Sequence, residues 1–336
     1  MAILLTGGTG YIGSHTAVEL LNKNYEVIIV DNLSNSSEDV INDIQEITGK
    51  RPTLYIVDLL EKDKLRTVFN KHNIQSVIHF AGLKAVGESA QIPLNYYMNN
   101  VTTTLILCEV MEEFNVHKLV FSSSATVYGI PDKLPITEEA TTTALNPYGR
   151  TKLMCEKILL DIANSNEKWK IAMLRYFNPV GAHESGLIGE KPIGIPNNLM
   201  PYVTKVAIGE LESLNIYGND YPTSDGTGIR DYIHVSDLAR GHISALNHIN
   251  KIDSVDIFNL GTGQGYSVLE VVNEIEKVTG KNIAYEIKDR RVGDAAKSYA
   301  DPSKANTILN WEAEKGLSEI CEDIWNFVEK SYVKYD

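Results

Sequence analysis

Ala2-Ile3-Leu4-Leu5-Thr6-Gly7-Gly8-Thr9-Gly10-Tyr11-Ile12-Gly13 runs from a short apolar strand through a glycine-rich turn into a helical pattern. Gly7, Gly10 and Gly13 give the spacing G-x-x-G-x-x-G. Glycines so placed allow a tight turn, close approach of a pyrophosphate to the backbone, and close packing of helix on strand. The helix N-terminus adds N–H donors and partial positive charge. A glycine-rich turn alone is weak evidence. This one lies directly after the first strand, and Asp31 ends the second, so the two together predict a dinucleotide-binding βα unit.

The pattern continues outward. Residues 3–6, 27–31, 54–58, 76–81 and 119–123 read as buried strands, with helix-period segments at 14–24, 61–72 and 93–114 between them. A sixth strand at 171–177 follows a helix beginning near Pro147. This alternation predicts an α/β fold, a doubly wound parallel (Rossmann) sheet with helices on both faces. Near residue 180 the texture changes: 180–201 and 217–228 are turn-rich, and shorter elements follow at 258–260, 268–279 and 317–330. The expected division is an NAD-binding Rossmann domain over 1–178 and a smaller α/β substrate-binding domain over 179–336. Segments near 230–260 are expected to return to the first domain.

Composition bounds the function. The 336 residues carry a net charge of −13, which argues against a nucleic-acid partner; an anionic substrate then needs a few local cations. No apolar run reaches the roughly 18 residues of a membrane span. Met1 passes straight into strand-like sequence, leaving no room for a signal peptide, so a cytoplasmic protein is expected. Cys108, Cys155 and Cys321 stand far apart and are expected to be core thiols, with neither a disulfide framework nor a metal site.

Asp31 selects the cofactor. A carboxylate there accepts hydrogen bonds from ribose hydroxyls and repels a 2′-phosphate, and no Lys or Arg lies between Asp31 and Ser37, so NAD is expected. Asp58 ends the third strand within reach of an adenine amino group. Ser122-Ser123-Ser124 closes strand five, and Asn146-Pro147 forms an N-cap and first-turn pair that puts Tyr148 at a helix start, with Lys152 four residues on. A phenol with a pKa of about 10 is only ~0.1% ionised at neutral pH, and bringing it near 7 takes roughly 4 kcal/mol. One cation about 5 Å away supplies roughly 3 kcal/mol. Lys152 and an oxidised nicotinamide are therefore expected to activate Tyr148 as the base, with Ser124 donating to the same centre. His79, inside an apolar strand, and His234 are expected to be structural.

The segments Thr6–Gly13 and Ser122–Gly129, the Tyr148/Lys152 pair and Arg175-Tyr-Phe-Asn-Pro-Val-Gly181 resemble the extended short-chain dehydrogenase/reductases. Phe80-Ala-Gly-Leu-Lys-Ala-Val-Gly-Glu-Ser89, Gly194-Ile-Pro-Asn-Asn-Leu-Met-Pro-Tyr202 and Asp225-Gly-Thr-Gly-Ile-Arg-Asp-Tyr-Ile-His-Val235 are similar, more narrowly, to the nucleotide-sugar 4-epimerases among them. The resemblance spans nearly the whole chain. It implies catalysis by Tyr148, Lys152 and Ser124. It implies tightly bound NAD, contacted by Gly7, Gly10, Tyr11, Ile12, Gly13, Asp31, Asn32, Asn35, Ser36, Asp58, Phe80, Ala81, Lys84, Asn99, Ser122, Tyr148, Lys152 and Tyr176. For a UDP-hexose it implies contacts from Ser124, Tyr148, Phe177, Asn178, Asn198, Leu199, Tyr217, Arg230, Arg291, Asp294 and Ser298. Arg230 and Arg291 are the local cations an acidic chain needs for a diphosphate.

The implied reaction interconverts UDP-glucose and UDP-galactose, in galactose metabolism, by inversion at carbon 4 through a transient 4-keto sugar. Two alternatives stay open: a UDP-glucuronate 4-epimerase, and a nucleotide-sugar 4,6-dehydratase. The family's dehydratases carry an Asp-Glu pair just after the strand-five hydroxyl residue, where this chain has Ala125 and Thr126. The family's sugar-pocket gate aligns with Ser298, a small residue that leaves room for an N-acetyl group and adds UDP-N-acetylglucosamine to the expected substrates. The family pairs helices matching 95–113 and 147–163 across a twofold axis, so a homodimer joined through a four-helix bundle is expected.

Overall fold

The computed structural model describes residues 1–192, 194, 196, 198–291 and 293–333; Ile193, Ile195, Asn197, Val292 and residues 334–336 of the expected second domain lie outside the described residues. Strand and helix alternate first: β1 (Ala2–Thr6), α1 (Tyr11–Asn22), β2 (Glu26–Asp31), α2 (Val40–Thr48), β3 (Thr53–Ile56), α3 (Lys62–Lys71) and β4 (Ile74–His79). Then come α4 (Val86–Gln91), α5 (Pro93–Tyr96), a π-helical turn Tyr97–Val101, α6 (Thr102–Glu113), β5 (Lys118–Ser124), α7 (Pro147–Ser165) and β6 (Lys170–Tyr176). Shorter pieces follow: β7 (Asn178–Val180), α8 (Leu199–Ala207), β8 (Leu214–Tyr217), β9 (Ile229–Arg230) and β10 (Tyr232–His234). The chain ends with α9 (Val235–His248), β11 (Val255–Leu260), β12 (Tyr266–Ser267), α10 (Val268–Thr279), β13 (Tyr285–Lys288), β14 (Lys297–Ser298), α11 (Ser303–Ile308) and α12 (Leu317–Val333).

Seven strands form one sheet in the order β11-β6-β5-β4-β1-β2-β3, every pair parallel. This is the doubly wound sheet expected from the alternation. Its central strands are apolar along their whole length because both faces are covered. Leu20, Ile29, Ile243 and Leu246 belong to the core on one face, and Leu107, Met111, Leu159 and Met173 to the core on the other. The winding reverses between β1 and β4, so the loops after these two strands open side by side at the sheet's carboxyl edge, where such folds place ligands.

Three boundaries differ from expectation. The third and fourth strands stop at Ile56 and His79, before the expected ends at 58 and 81. Asp58 instead turns the chain, its Oδ1 accepting from the Leu60 N–H at 2.8 Å. The helix expected over 93–114 is interrupted by the π-helical turn, which carries Asn99 and Asn100. π-turns of this kind gather at functional sites.

Past residue 178 the chain divides its packing. Residues 255–260 pair in register with β6, from Val255↔Ile171 to Leu260↔Tyr176, and α9 packs against α1. A separate core gathers Val203, Ile216, Val272, Ile275, Ile320 and Ile324 from α8, β8, α10 and α12. Ser267 starts α10 with a reciprocal capping box to Glu270. Among the described residues no helix is long and apolar enough to cross a membrane, and no three His, Cys, Asp or Glu side chains are grouped to hold a metal ion.

Candidate active site

Gly7 takes φ +70°, and a Cβ there would lie 2.7 Å from the Ala81 backbone N, so the turn after β1 closes against the end of β4 only with glycine. Gly10 is the N-cap of α1 and offers no side chain to its first turn, leaving those amides to face an anion. Asp31 lies at the end of β2, almost buried. Its Oδ2 accepts from Thr9 N–H at 3.1 Å, and its Oδ1 from Leu33 N–H at 2.9 Å and the Ser36 hydroxyl at 3.3 Å. Asn32 donates to Asp58 Oδ2 at 2.9 Å, which brings β2 and β3 ends together, and Asn35 is exposed on the loop between them. These acceptors and the glycine cradle fit a dinucleotide whose ribose bears free hydroxyls.

Across the switch point stand Phe80, Ala81 and Lys84 on the loop after β4, and Asn99 on the π-turn. Asn100 beside it bonds both backbone groups of Leu83, at 2.8 and 3.0 Å, and donates to Thr151 at 3.0 Å, locking that loop to α7.

Asn146 caps α7 by accepting from Gly149 N–H at 2.8 Å, and Pro147 takes the first turn, as expected. Tyr148 and Lys152 are both buried on the face turned to β5. A Cβ on Gly149 would sit 2.9 Å from the Thr126 carbonyl oxygen, so glycine next to Tyr148 lets α7 start hard against the turn after Ser124. The Ser124 oxygen accepts from Thr126 N–H at 3.2 Å and from the Thr126 hydroxyl at 3.0 Å. With its lone pairs so used, its one proton is left for the Tyr148 phenol. Burial pushes that phenol above its ordinary pKa, and the hydrogen bond with Ser124 draws it back down.

Lys152 is expected to lower Tyr148 together with an oxidised nicotinamide; within the protein its ammonium donates to the Ser122 carbonyl at 2.7 Å. Burial lowers Lys152 itself to about 8, against the opposing pull of Cys155 and Glu156. The protein groups thus leave the phenol above its usual value. Tyr176, at the end of β6, interacts with both Ser122 and Tyr148, and burial raises its phenol as well.

His79 and His234 are structural, as expected. His79 bonds Thr6 at 2.6 Å and Thr104 at 3.1 Å, and burial lowers it to about 3. His234 caps α9 and bonds Asp323 at 3.1 Å.

In the C-terminal part, Arg291 stacks 4.5 Å over the Tyr217 ring and donates to Asp294 at 3.2 Å, while Arg230 lies 3.8 Å from the same carboxylate. Tyr217, Arg230, Arg291 and Asp294 therefore form one cluster. Ser298 pairs with Arg230 in the β14–β9 register and is half-buried. Phe177 is buried, Asn178 is exposed at the start of β7, and Asn198 is the N-cap of α8 with Leu199 its first residue.

The structure adds residues that the sequence reading missed. Glu156 is buried beneath Ser123, which donates to it at 2.5 Å, and Arg175 grips its two oxygens at 2.9 and 2.7 Å. A carboxylate one turn after Lys152 in an otherwise apolar stripe was the available signal. Glu190, which joins Lys84 and Asn198, gave no local signal at all.

Residues 3–261 match the NAD dependent epimerase/dehydratase family. The chain is 60% identical over 327 residues to the UDP-glucose 4-epimerase of Bacillus subtilis (strain 168), covering 97% of this chain and 96% of that protein. It is similar to the crystal structure of the Bifidobacterium longum UDP-glucose 4-epimerase in complex with NAD+ and UDP, with a TM-score of 0.96 at 53% identity over 99% of both chains. It is also similar to the UDP-Glc/GlcNAc 4-epimerase of Campylobacter jejuni, with a TM-score of 0.86 at 35% identity over 98% of this chain and 99% of that one.

Proposed function

The chain belongs to the NAD dependent epimerase/dehydratase family, and from that membership we propose that it interconverts UDP-glucose and UDP-galactose by inverting sugar carbon 4, with NAD tightly held. NAD, when bound, accepts hydride from carbon 4 and returns it to the opposite face of the resulting 4-keto sugar. Tyr148 takes the proton of the 4-hydroxyl and gives it back, with Ser124 holding the phenol oxygen from the other side. Asp31 accepts from the adenosine ribose, and the first turn of α1 faces the pyrophosphate. Arg230 and Arg291 bind the UDP diphosphate, with Asp294 and Tyr217 beside them. Anchoring the substrate through its UDP moiety leaves the hexose free to turn.

The observation that carries the reading is the buried Tyr148 phenol drawn down by Ser124, whose oxygen is held by Thr126. The site offers a phenol for one proton, and neither Ala125 nor Thr126 supplies the carboxylate that elimination of water demands. Mixing the protein with UDP-galactose and no added cofactor should yield UDP-glucose; a 4,6-dehydratase would give a stable keto sugar, and a UDP-glucuronate epimerase would leave UDP-galactose unchanged.

Three finer assignments go with it. Residues 1–178 hold the dinucleotide and 179–336 the UDP-sugar, with segments near 230–260 returning to the first domain, a reading supported by β11 pairing with β6 and α9 packing on α1. The half-buried Ser298 leaves the hexose pocket wide enough for an N-acetyl group, so UDP-N-acetylglucosamine is a second substrate. The protein works as a homodimer in the cytoplasm: its cysteines are buried free thiols, and α5 to α7 expose several large apolar side chains.

A further inference from the structure

Glu190 joins the loop after β4 to the N-terminus of α8. Its Oε1 accepts from Lys84 Nζ at 2.7 Å and from the Asn198 amide at 2.9 Å. Lys84 comes from the loop after β4 and also lies 5.8 Å over the ring of Tyr11, the first residue of α1. Asn198 is the N-cap of α8, in the C-terminal core. The backbone behind Glu190 is fixed: Ala182 bridges Gly189, a Cβ at Gly189 would strike the Phe327 ring at 2.6 Å, and Lys191 lies 5.2 Å over that same ring. The carboxylate therefore projects from a strut anchored on α12 and is largely shielded from water. Beside it a second bond crosses the same seam, from the Tyr11 hydroxyl to the Gly181 carbonyl at 2.6 Å.

We propose that Glu190 is a positioning residue that holds the nucleotide half and the α8 half of the cleft together while the oxidised sugar turns. The inference rests on the epimerase reading above. That chemistry has a hazard that a bolted seam would control. Once carbon 4 has lost hydride to the dinucleotide and its hydroxyl proton to Tyr148, the sugar is a ketone. If it leaves before both return, the two electrons stay on the dinucleotide and the site is dead. Lys84 comes from the loop after β4 and Asn198 from the N-cap of α8, and a single shared acceptor makes their separation costly. Charge-assisted bonds of this kind are the stronger ones, and shielding from water strengthens them further.

The test counts reduced dinucleotide, by its fluorescence, against turnovers of UDP-galactose in the holoenzyme. In Glu190→Ala the reduced form should accumulate about tenfold more often per turnover than in the parent, the size of one lost charge-assisted bond. Glu190→Gln keeps the shape and loses the charge, and should show a smaller rise in the same direction. With UDP bound, amide exchange in the first turn of α8 should quicken in both. A rise in KM or a fall in kcat without extra reduced dinucleotide overturns the proposal, as does parental behaviour in Glu190→Gln should the alanine variant fail to fold. Parental enzyme that never converts UDP-galactose would sink the epimerase reading instead.

Discussion

The Ser124 hydroxyl oxygen receives two hydrogen bonds from Thr126, from its N–H at 3.2 Å and its hydroxyl at 3.0 Å, which leaves its own proton for the Tyr148 phenol that it draws down. Thr126→Val removes one of the two and lets that proton swing away. Since the Ser124 bond is what draws the phenol down, its loss should move the alkaline-going limb of kcat to higher pH and lower kcat near neutrality about tenfold. A pH profile measures both. An unshifted limb would mean that Ser124 is oriented without Thr126.

Tyr148→Phe takes away the group that accepts the proton while leaving the ring. Positioned acid–base groups contribute roughly 100- to 10,000-fold, so kcat should fall by about a thousandfold. Dinucleotide content should stay at the parental level, because the glycine turn and Asp31 hold that molecule elsewhere. Normal turnover in this variant would refute the assigned base.

Lys152 has an opposite signature. Its value drops from 10.5 to about 8 through burial. The folded state therefore binds fewer protons than the unfolded chain between those values, so this group makes stability rise with pH across that window and imposes its full cost below it. The cost at pH 7 is about 3 kcal/mol. Lys152→Met also forfeits the charge-assisted bond to the Ser122 carbonyl, worth about 2 kcal/mol. At matched dinucleotide content the variant should be more stable by roughly 1 kcal/mol in a urea titration at pH 7. A less stable variant would show that the buried ammonium is better satisfied than its burial implies.

The parts that were legible in the sequence are those set by local rules. Glycine spacing, an acidic strand end, Asn146-Pro147 and the Tyr148/Lys152 interval each act within one turn or one strand, and the chain around them folds as those rules require. Asn100 was not legible, because the π-turn that presents it follows from contacts with Leu83 and Thr151 brought in by another loop and another helix. The surroundings of Lys152 were illegible for a related reason. Sequence spacing put the ammonium near the phenol, but only the packed structure shows the Ser122 carbonyl competing for it and the desolvation that lowers it. Glu190 lies farther still from any periodic signal: it sits in a turn-rich stretch, and its meaning comes from a lysine 106 positions away.

Ser298 is the residue proposed to set how broad the sugar pocket is. It runs beside Arg230 in the β14–β9 register, so a larger side chain there grows next to the arginine proposed to bind the diphosphate. Ser298→Tyr should reduce kcat/KM for UDP-N-acetylglucosamine by a hundredfold or so, the scale of a few kcal/mol of steric exclusion, and change that for UDP-glucose only a few-fold. Equal effects on both sugars would place the discriminating residue elsewhere.

The same surface logic predicts the oligomer. Leu94, Met98 and Leu105, on α5, the π-turn and α6, and Met154 and Leu160 on α7 are all exposed, at 76, 63, 44, 44 and 37% respectively. α7 packs directly on the π-turn, so these side chains come from adjoining elements. A cluster of large apolar groups of this kind on a chain that carries many charges elsewhere is what a self-complementary interface looks like before it is covered. Two copies related by a twofold axis would bury α6 and α7 against their equivalents in a four-helix arrangement. Light scattering on the parent should give about twice the chain mass, and Leu105→Glu with Met154→Glu should give the single-chain mass, because four carboxylates would then meet in a desolvated seam. The residues proposed to bind UDP lie on other elements than α6 and α7, so the separated chains should still bind UDP. A parent that runs as a monomer would leave this apolar surface without the role assigned to it.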